Sequence, residues 1–289
     1  MGMTLTKLAR RIVPLTLVVV SLGALGVVWA RRVAQTPPSA SVQDAERAQT
    51  PPGMVYVPGG WCFLGTDDPD AEDSARPRRK VFVPSYYIDR TEVTCEAFQK
   101  FDPTYAFKKG NEKLPATAIT FAQADAYAKW AGKSVPTDAQ WEKAARGTDG
   151  RRYPWGDAWD AGRVARRGKT LGVPVPEELK DKPTNACRLS PARVQPVGSA
   201  LAGASPYGCL DMAGNAWEWV AEHYLGDPNM RILRGGAVGY GERACRTYRQ
   251  GVEGSTSTCN DTGFRCALTA PLPPRGGGES EDRALGGLK

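Results

Sequence analysis

The segment Arg234–Gln250, "RGGAVGYGERACRTYRQ", places a thiol, Cys245, behind a glycine-rich bend and ahead of a basic-aromatic run. A thiol there has four chemistries open to it: nucleophile, metal ligand, half of a disulfide, or packed core residue. Six other cysteines accompany it, at 62, 95, 187, 209, 259 and 266. An odd total leaves at least one thiol unpaired within the chain. The only histidine is His223 and no C-x-x-C occurs, which argues against a zinc site or a multi-histidine iron site.

Short elements must position this segment. "GMVYVPGGWCFLG" reads as a strand, a turn and a second strand, and "VFVPSYYIDRTEV" as another strand pair, with the charged loop "DDPDAEDSARPRRK" between them. A short helix is predicted over Cys95–Phe101. Thr120 with Gln123 and Thr137 with Gln140 fit capping boxes that open two longer helices. The first carries Phe121, Ala124, Tyr127, Ala128 and Ala131 on one face, and the second closes at Gly147. "YGCLDMAGNAWEWVAEHY", "RILRGG" and "GFRCAL" read as strands or tight turns. Residues 160–205 are basic and proline-rich and read mostly as loop. Eight tryptophans in turn-rich surroundings supply core that regular elements do not.

The chain is 41% hydrophobic and 24% charged, which is globular composition with length for one sizeable core. Its net charge of +7 is concentrated early: residues 1–52 hold six Lys/Arg against two acids. The tail 271–289 balances to zero, so the body is only weakly basic, and no nucleic-acid partner is expected. Residues 1–32 read as a membrane-targeting segment. Lys7, Arg10 and Arg11 precede an apolar run from Ile12 to Ala30, close to the roughly 20 residues that span a bilayer. Both a retained anchor and a cleaved signal peptide fit, and either exports the body to an extracytoplasmic space. Export makes the cysteines disulfide candidates. Residues 33–52 lack large apolar side chains and read as a linker, and 271–289 as a disordered tail.

Four blocks in order, "MVYVPGGWCFLG", "YYIDRTEVTCEAFQKF", "AITFAQADAYAKWAGKSVPTDAQWEKAARGTDGRRYPWGD" and "YGCLDMAGNAWEWV…LRGGAVGYGERACRTYR…DTGFRCAL", resemble the formylglycine-generating enzyme (sulfatase-modifying factor) family over residues 53–270. The resemblance implies one α+β domain with a variant C-type-lectin-like fold: little regular structure, a small antiparallel sheet and two main helices. It also implies oxidation of a sulfatase cysteine to formylglycine, with oxygen and a copper ion held by two cysteines. Cys245 matches the second of these, but Tyr240 stands at the first, and Ala237 replaces the serine after the paired glycines. A cuprous ion suits two thiolates, and one thiolate with a phenol is a poor substitute.

The resemblance further implies a calcium ion in "DMAGNAWEW", held by Asp211, Gly214, Ala216 and Glu218. A second calcium site would begin near Asn185-Ala186, but Leu189 falls where an aspartate is wanted. The family's helix-bracing cysteines fall on Ala128 and Ala145, so Cys266 is free or paired anew. Arg243, Arg246, Arg249 and Arg265 either line a substrate groove or pair with Glu242 and Asp261. The function expected is an exported binding or scaffold module for a peptide, protein or glycan ligand; the alternative is a formylglycine-generating oxidase.

Overall fold

The computed structural model describes residues 36–165 and 194–270. The membrane-targeting segment, Cys187, the second calcium motif and the tail lie outside the described residues.

Among the described residues, nine strands and four α-helices follow one another along the chain. Strands β1 (Met54–Val57) and β2 (Gly60–Leu64) are joined by a tight turn. Strands β3 (Arg79–Val83) and β4 (Tyr86–Asp89) follow the charged loop, as expected. β4 is central in an antiparallel sheet of order β1-β4-β9, with β9 at Ala267–Thr269. β2 and β3 form a separate hairpin in the register Trp61↔Phe82 and Phe63↔Lys80. A four-stranded sheet of order β7-β6-β5-β8 carries the C-terminal half. Its strands are β5 (Trp217–His223), β6 (Met230–Arg234), β7 (Gly251–Gly254) and β8 (Thr262–Gly263).

Helix α1 (Ala40–Ala48) lies within the stretch read as a linker. Its composition holds no large apolar residue, so the core signal is missing from its sequence. Polar contacts dock it instead. The hydroxyl of Tyr56 donates to the buried Glu46 carboxylate at 2.5 Å, and that of Tyr87 donates to the Glu46 carbonyl at 2.7 Å. Helix α2 spans Cys95–Phe101, as expected.

Both capping boxes form. Thr120 Oγ1 accepts from the Gln123 N–H at 3.2 Å, and Gln123 Oε1 accepts from the Thr120 N–H at 2.9 Å. They open α3 (Phe121–Trp130), which buries Ala124, Tyr127 and Ala128. Thr137 and Gln140 open α4 (Asp138–Arg146) in the same way, and Gly147 ends it at φ 74°.

The core has two main parts. One gathers Phe98, Ile119, Trp217, Trp219, Leu233 and Phe264 between α2, α3 and the second sheet. The other gathers Val57, Val83, Tyr86, Trp141, Met212 and Val220 around α4. Aromatic rings do much of the filling, as expected of an irregular fold: the Phe98 ring stacks on Tyr127 at 5.5 Å and meets Phe264 edge-on at 6.1 Å.

Candidate functional site

Strand β6 delivers Arg234 and then stops at a double glycine. Gly235 and Gly236 sit at φ 93° and 75°, backbone that favours glycine. A Cβ on Gly236 would meet the Ala244 carbonyl oxygen at 2.7 Å. The chain can therefore fold back, tied by the Val238 N–H donating to the Asn215 carbonyl at 2.9 Å. A 3-10 turn at Glu242–Cys245 then turns Cys245 inward to 1% exposure. Burial pushes its thiol up to about 12, with the Glu242 charge adding to the effect. A thiol so placed stays protonated at neutral pH and is a weak nucleophile.

Tyr240 is half-buried, with its ring edge-on to Trp217 at 5.6 Å and 81°. Its hydroxyl donates to Asp261 Oδ2 at 3.3 Å. Asp261 is itself buried, which raises its carboxyl to about 6. Burial and the adjacent Asp261 carboxylate also raise the Tyr240 phenol, so both oxygens hold their protons more tightly than in water. A phenol oxygen engaged with Asp261, beside a single thiol, does not make the pair of soft sulfur donors that a cuprous ion prefers. These residues do not fit copper.

In the calcium motif the turn is built as expected. Asp211 and Asn215 adopt φ 58° and 62° around Gly214 at 91°. Glu218, the carboxylate expected to close the site, is engaged elsewhere. Arg265 Nε donates to its Oε2 at 2.7 Å, Arg265 Nη2 to its Oε1 at 2.7 Å, and Trp141 Nε1 to Oε2 at 2.8 Å. Both side chains of that ion pair are fully buried. Glu218 therefore faces a guanidinium where a calcium ion would be repelled, and the four residues do not fit as one calcium site.

Asp211 behaves differently. Its Oδ2 accepts from the Gly198 N–H at 2.5 Å, and its buried Oδ1 has no hydrogen-bond partner. Glu92 contributes a second such oxygen, Oε2, while its Oε1 accepts from Asn215 Nδ2 at 2.9 Å. Burial first, then mutual repulsion with Asp211 and Glu218, pushes the Glu92 carboxyl well above the ordinary range. Sequence reasoning missed Glu92. Its signal is an acid set beside Val93 just after a strand, where an apolar residue is the default. Among the described residues no three His, Cys, Asp or Glu side chains converge on a metal position.

The four arginines divide. Arg265 is the buried partner of Glu218 and lines no groove. Arg246 is 9% exposed and lies 3.7 Å from Asp68 and 3.9 Å from Glu242. Arg249 pairs with Glu72, and Arg243 donates to the Asp70 carbonyl at 2.7 Å. The charged loop thus docks on the signature segment, and Asp68 also accepts from the Tyr248 hydroxyl at 2.8 Å. Between loop and segment lies a cavity of about 510 Å³, lined on its walls by Glu72, Arg76, Tyr224, Arg243, Arg249 and Gln250.

The six described cysteines are all buried, and Cys62, Cys95, Cys209, Cys245 and Cys266 are free, so no disulfide of the expected framework joins these five to one another. Each is held by its own surroundings. Cys62 and Cys209 pack in the α4 core and Cys266 in the other. Cys95 donates to the Pro115 carbonyl at 3.5 Å, and Cys259 Sγ lies 3.5 Å from Glu253 Oε2. His223 is exposed at the end of β5.

With this geometry established, the family can be stated. The chain spans 44% of the length of the uncharacterized protein YfmG of Bacillus subtilis, with 31% identity over 63% of this chain. It is similar to the inactive C-alpha-formylglycine-generating enzyme 2 of Bos taurus, with 29% identity over 76% of this chain and 89% of that protein. It is also similar to the formylglycine-generating enzyme of Thermomonospora curvata, with 28% identity over 74% of this chain and 93% of that protein. The fold matches the solved structure of PvdO from Pseudomonas aeruginosa at a TM-score of 0.57 and 20% identity, over 75% of this chain and 94% of that one. The model of the sulfatase-modifying factor enzyme 1-like domain matches residues 39–270, α1 included, and the chain belongs to that family.

Proposed function

We propose that this protein is an exported binding or scaffold module that does not carry out copper-dependent oxidation. The observation that carries the reading is the pair Tyr240 and Cys245. A phenol whose hydroxyl is committed to Asp261 replaces one thiol, and burial holds the other protonated. The likeness to an inactive relative across 89% of its length supports the same reading. The ligand is a peptide, protein or glycan. It is received in the cavity between the charged loop and residues 243–252, where Arg249 pairs with Glu72 and Arg243 donates to the Asp70 carbonyl. The small net charge of the body makes nucleic acid a poor partner.

The test is turnover. The protein is incubated with cuprous ion, reductant, oxygen and a cysteine-containing sulfatase peptide, and the peptide mass is followed. The expected result is no aldehyde and no peptide-dependent oxygen uptake. Aldehyde formation that Cys245→Ser abolishes would establish the competing reading, a formylglycine-generating oxidase, which the likeness to the Thermomonospora curvata enzyme favours.

A further inference from the structure

The β2–β3 hairpin turns one face inward and one outward. Inward, Cys62 and Val83 join the α4 core. Outward, the cross-strand pairs Trp61↔Phe82 and Phe63↔Lys80 place three aromatic rings and an ammonium side by side. Trp61 is 41% exposed, although a tryptophan at that exposure leaves a large apolar surface in water. Phe82 packs edge-on against it at 5.5 Å. Cations flank the rings: Lys80 Nζ lies 5.6 Å from the Trp61 ring centre, and the Arg78 guanidinium 4.7 Å from that of Phe63. Lys80 is exposed and forms no ion pair among the described residues, and the Arg78 guanidinium also meets Asp67 at 3.2 Å.

The position of this face matters as much as its composition. The described chain enters the fold at the same end. Pro38 packs under the β1–β2 turn, where a Cβ on Gly59 would meet its Cδ at 3.1 Å, two residues from Trp61. Only seven residues separate Ala30, the last of the apolar run, from Pro38. That tether spans at most roughly 28 Å, so the hairpin stays within reach of a bilayer that holds residues 12–30.

We infer that the Trp61–Phe63–Phe82 face, with Arg78 and Lys80, rests on the headgroup region of an anionic phospholipid membrane. The inference rests on the retained-anchor reading of residues 1–32 and is independent of the ligand cavity. Amphipathic rings favour the membrane–water interface. Basic residues beside them are drawn to anionic lipid. The tether raises the effective concentration of the face at the surface. The outcome is a fixed orientation of the domain, with a second contact added to the apolar run.

The test uses the full chain in vesicles of phosphatidylcholine with phosphatidylglycerol, carrying brominated acyl chains that quench tryptophan. Trp29, inside the apolar run, reports insertion. The Trp61 signal is the difference between the wild type and Trp61→Phe, a change at an exposed site that leaves the fold intact. The expected result is quenching of the Trp61 signal that is roughly halved by Arg78→Gln with Lys80→Gln, and by high salt.

Quenching of Trp29 with an unquenched Trp61 signal overturns the inference, as does failure of both to be quenched. Shielding of Trp61 from acrylamide without lipid assigns the face to another segment of this chain and overturns it. So does an emission shift produced by dextran sulfate but not by vesicles, which assigns the face to an anionic glycan.

Discussion

The engagement of Glu218 with Arg265 makes the sharpest prediction. In Glu218→Gln the shape and the Trp141 hydrogen bond can be kept, but the charge is lost. Arg265 then remains buried without an ion-pair partner in hydrogen-bond contact, held by the Leu210, Asp89 and Arg90 carbonyls, with the Glu92 carboxyl acting on it from further away. Both partners are 0% exposed, so water cannot screen the remaining charge. Removing one member of such a pair costs roughly 3–5 kcal/mol. For a domain of this size each kcal/mol moves the midpoint by roughly 2–4 °C, which puts the loss at roughly 6–20 °C.

Replacing both residues, as Glu218→Leu with Arg265→Met, should cost less than the single change, because no charge is stranded. The assay is thermal unfolding followed by circular dichroism, with calcium and with EDTA. If Glu218 instead held calcium, EDTA would strip about 2.7 kcal/mol from the wild type at an ion concentration 100 times its dissociation constant. It would then leave Glu218→Gln unmoved. A wild type that responds to EDTA in that way, or a Glu218→Gln protein that melts with the wild type, refutes the reasoning.

Two further outcomes follow from the signature segment. Because burial holds the Cys245 thiol near 12, iodoacetamide at pH 7.5 should leave it unmodified in the native protein and alkylate it after denaturation, as read by peptide mass; native-state alkylation within minutes counts against this. Asp261 has a folded value of about 6 against an ordinary 3.8, because burial disfavours its charge. The stability gained from its neutral form is full below pH 3.8 and lost as pH rises through 6, by about 3 kcal/mol at full weight. Asp261→Asn should therefore flatten the stability profile between pH 4 and 6.5 and raise stability at pH 7.5 in urea titrations; an unchanged profile counts against the assignment.

Local signals carried far in this chain. Capping boxes at Thr120 and Thr137, the Gly147 stop and the strand pairs were all legible, because each depends on neighbours within a few residues. Helix α1 was not. Its docking runs through Glu46 to Tyr56 and Tyr87, partners 10 and 41 residues away, and its own composition is that of a linker. Arg265 was misread for the same reason. An arginine in sequence reads as solvated or ligand-facing, and only the approach of Glu218, 47 residues away, buries it.

The sequence by itself determined the family, the α+β class and the replacement of one expected copper ligand by Tyr240, since residue identity and spacing suffice for each. Only the tertiary structure decided what the remaining groups can do. The protonation of Cys245 and Asp261 depends on how completely the folded chain excludes water from them. The engagement of Glu218 depends on which cation the fold brings within 3 Å. The outward Trp61 face depends on the β2–β3 register and on the entry of the chain at Pro38. Charge and burial belong to the assembled fold, and the residue types alone do not specify them.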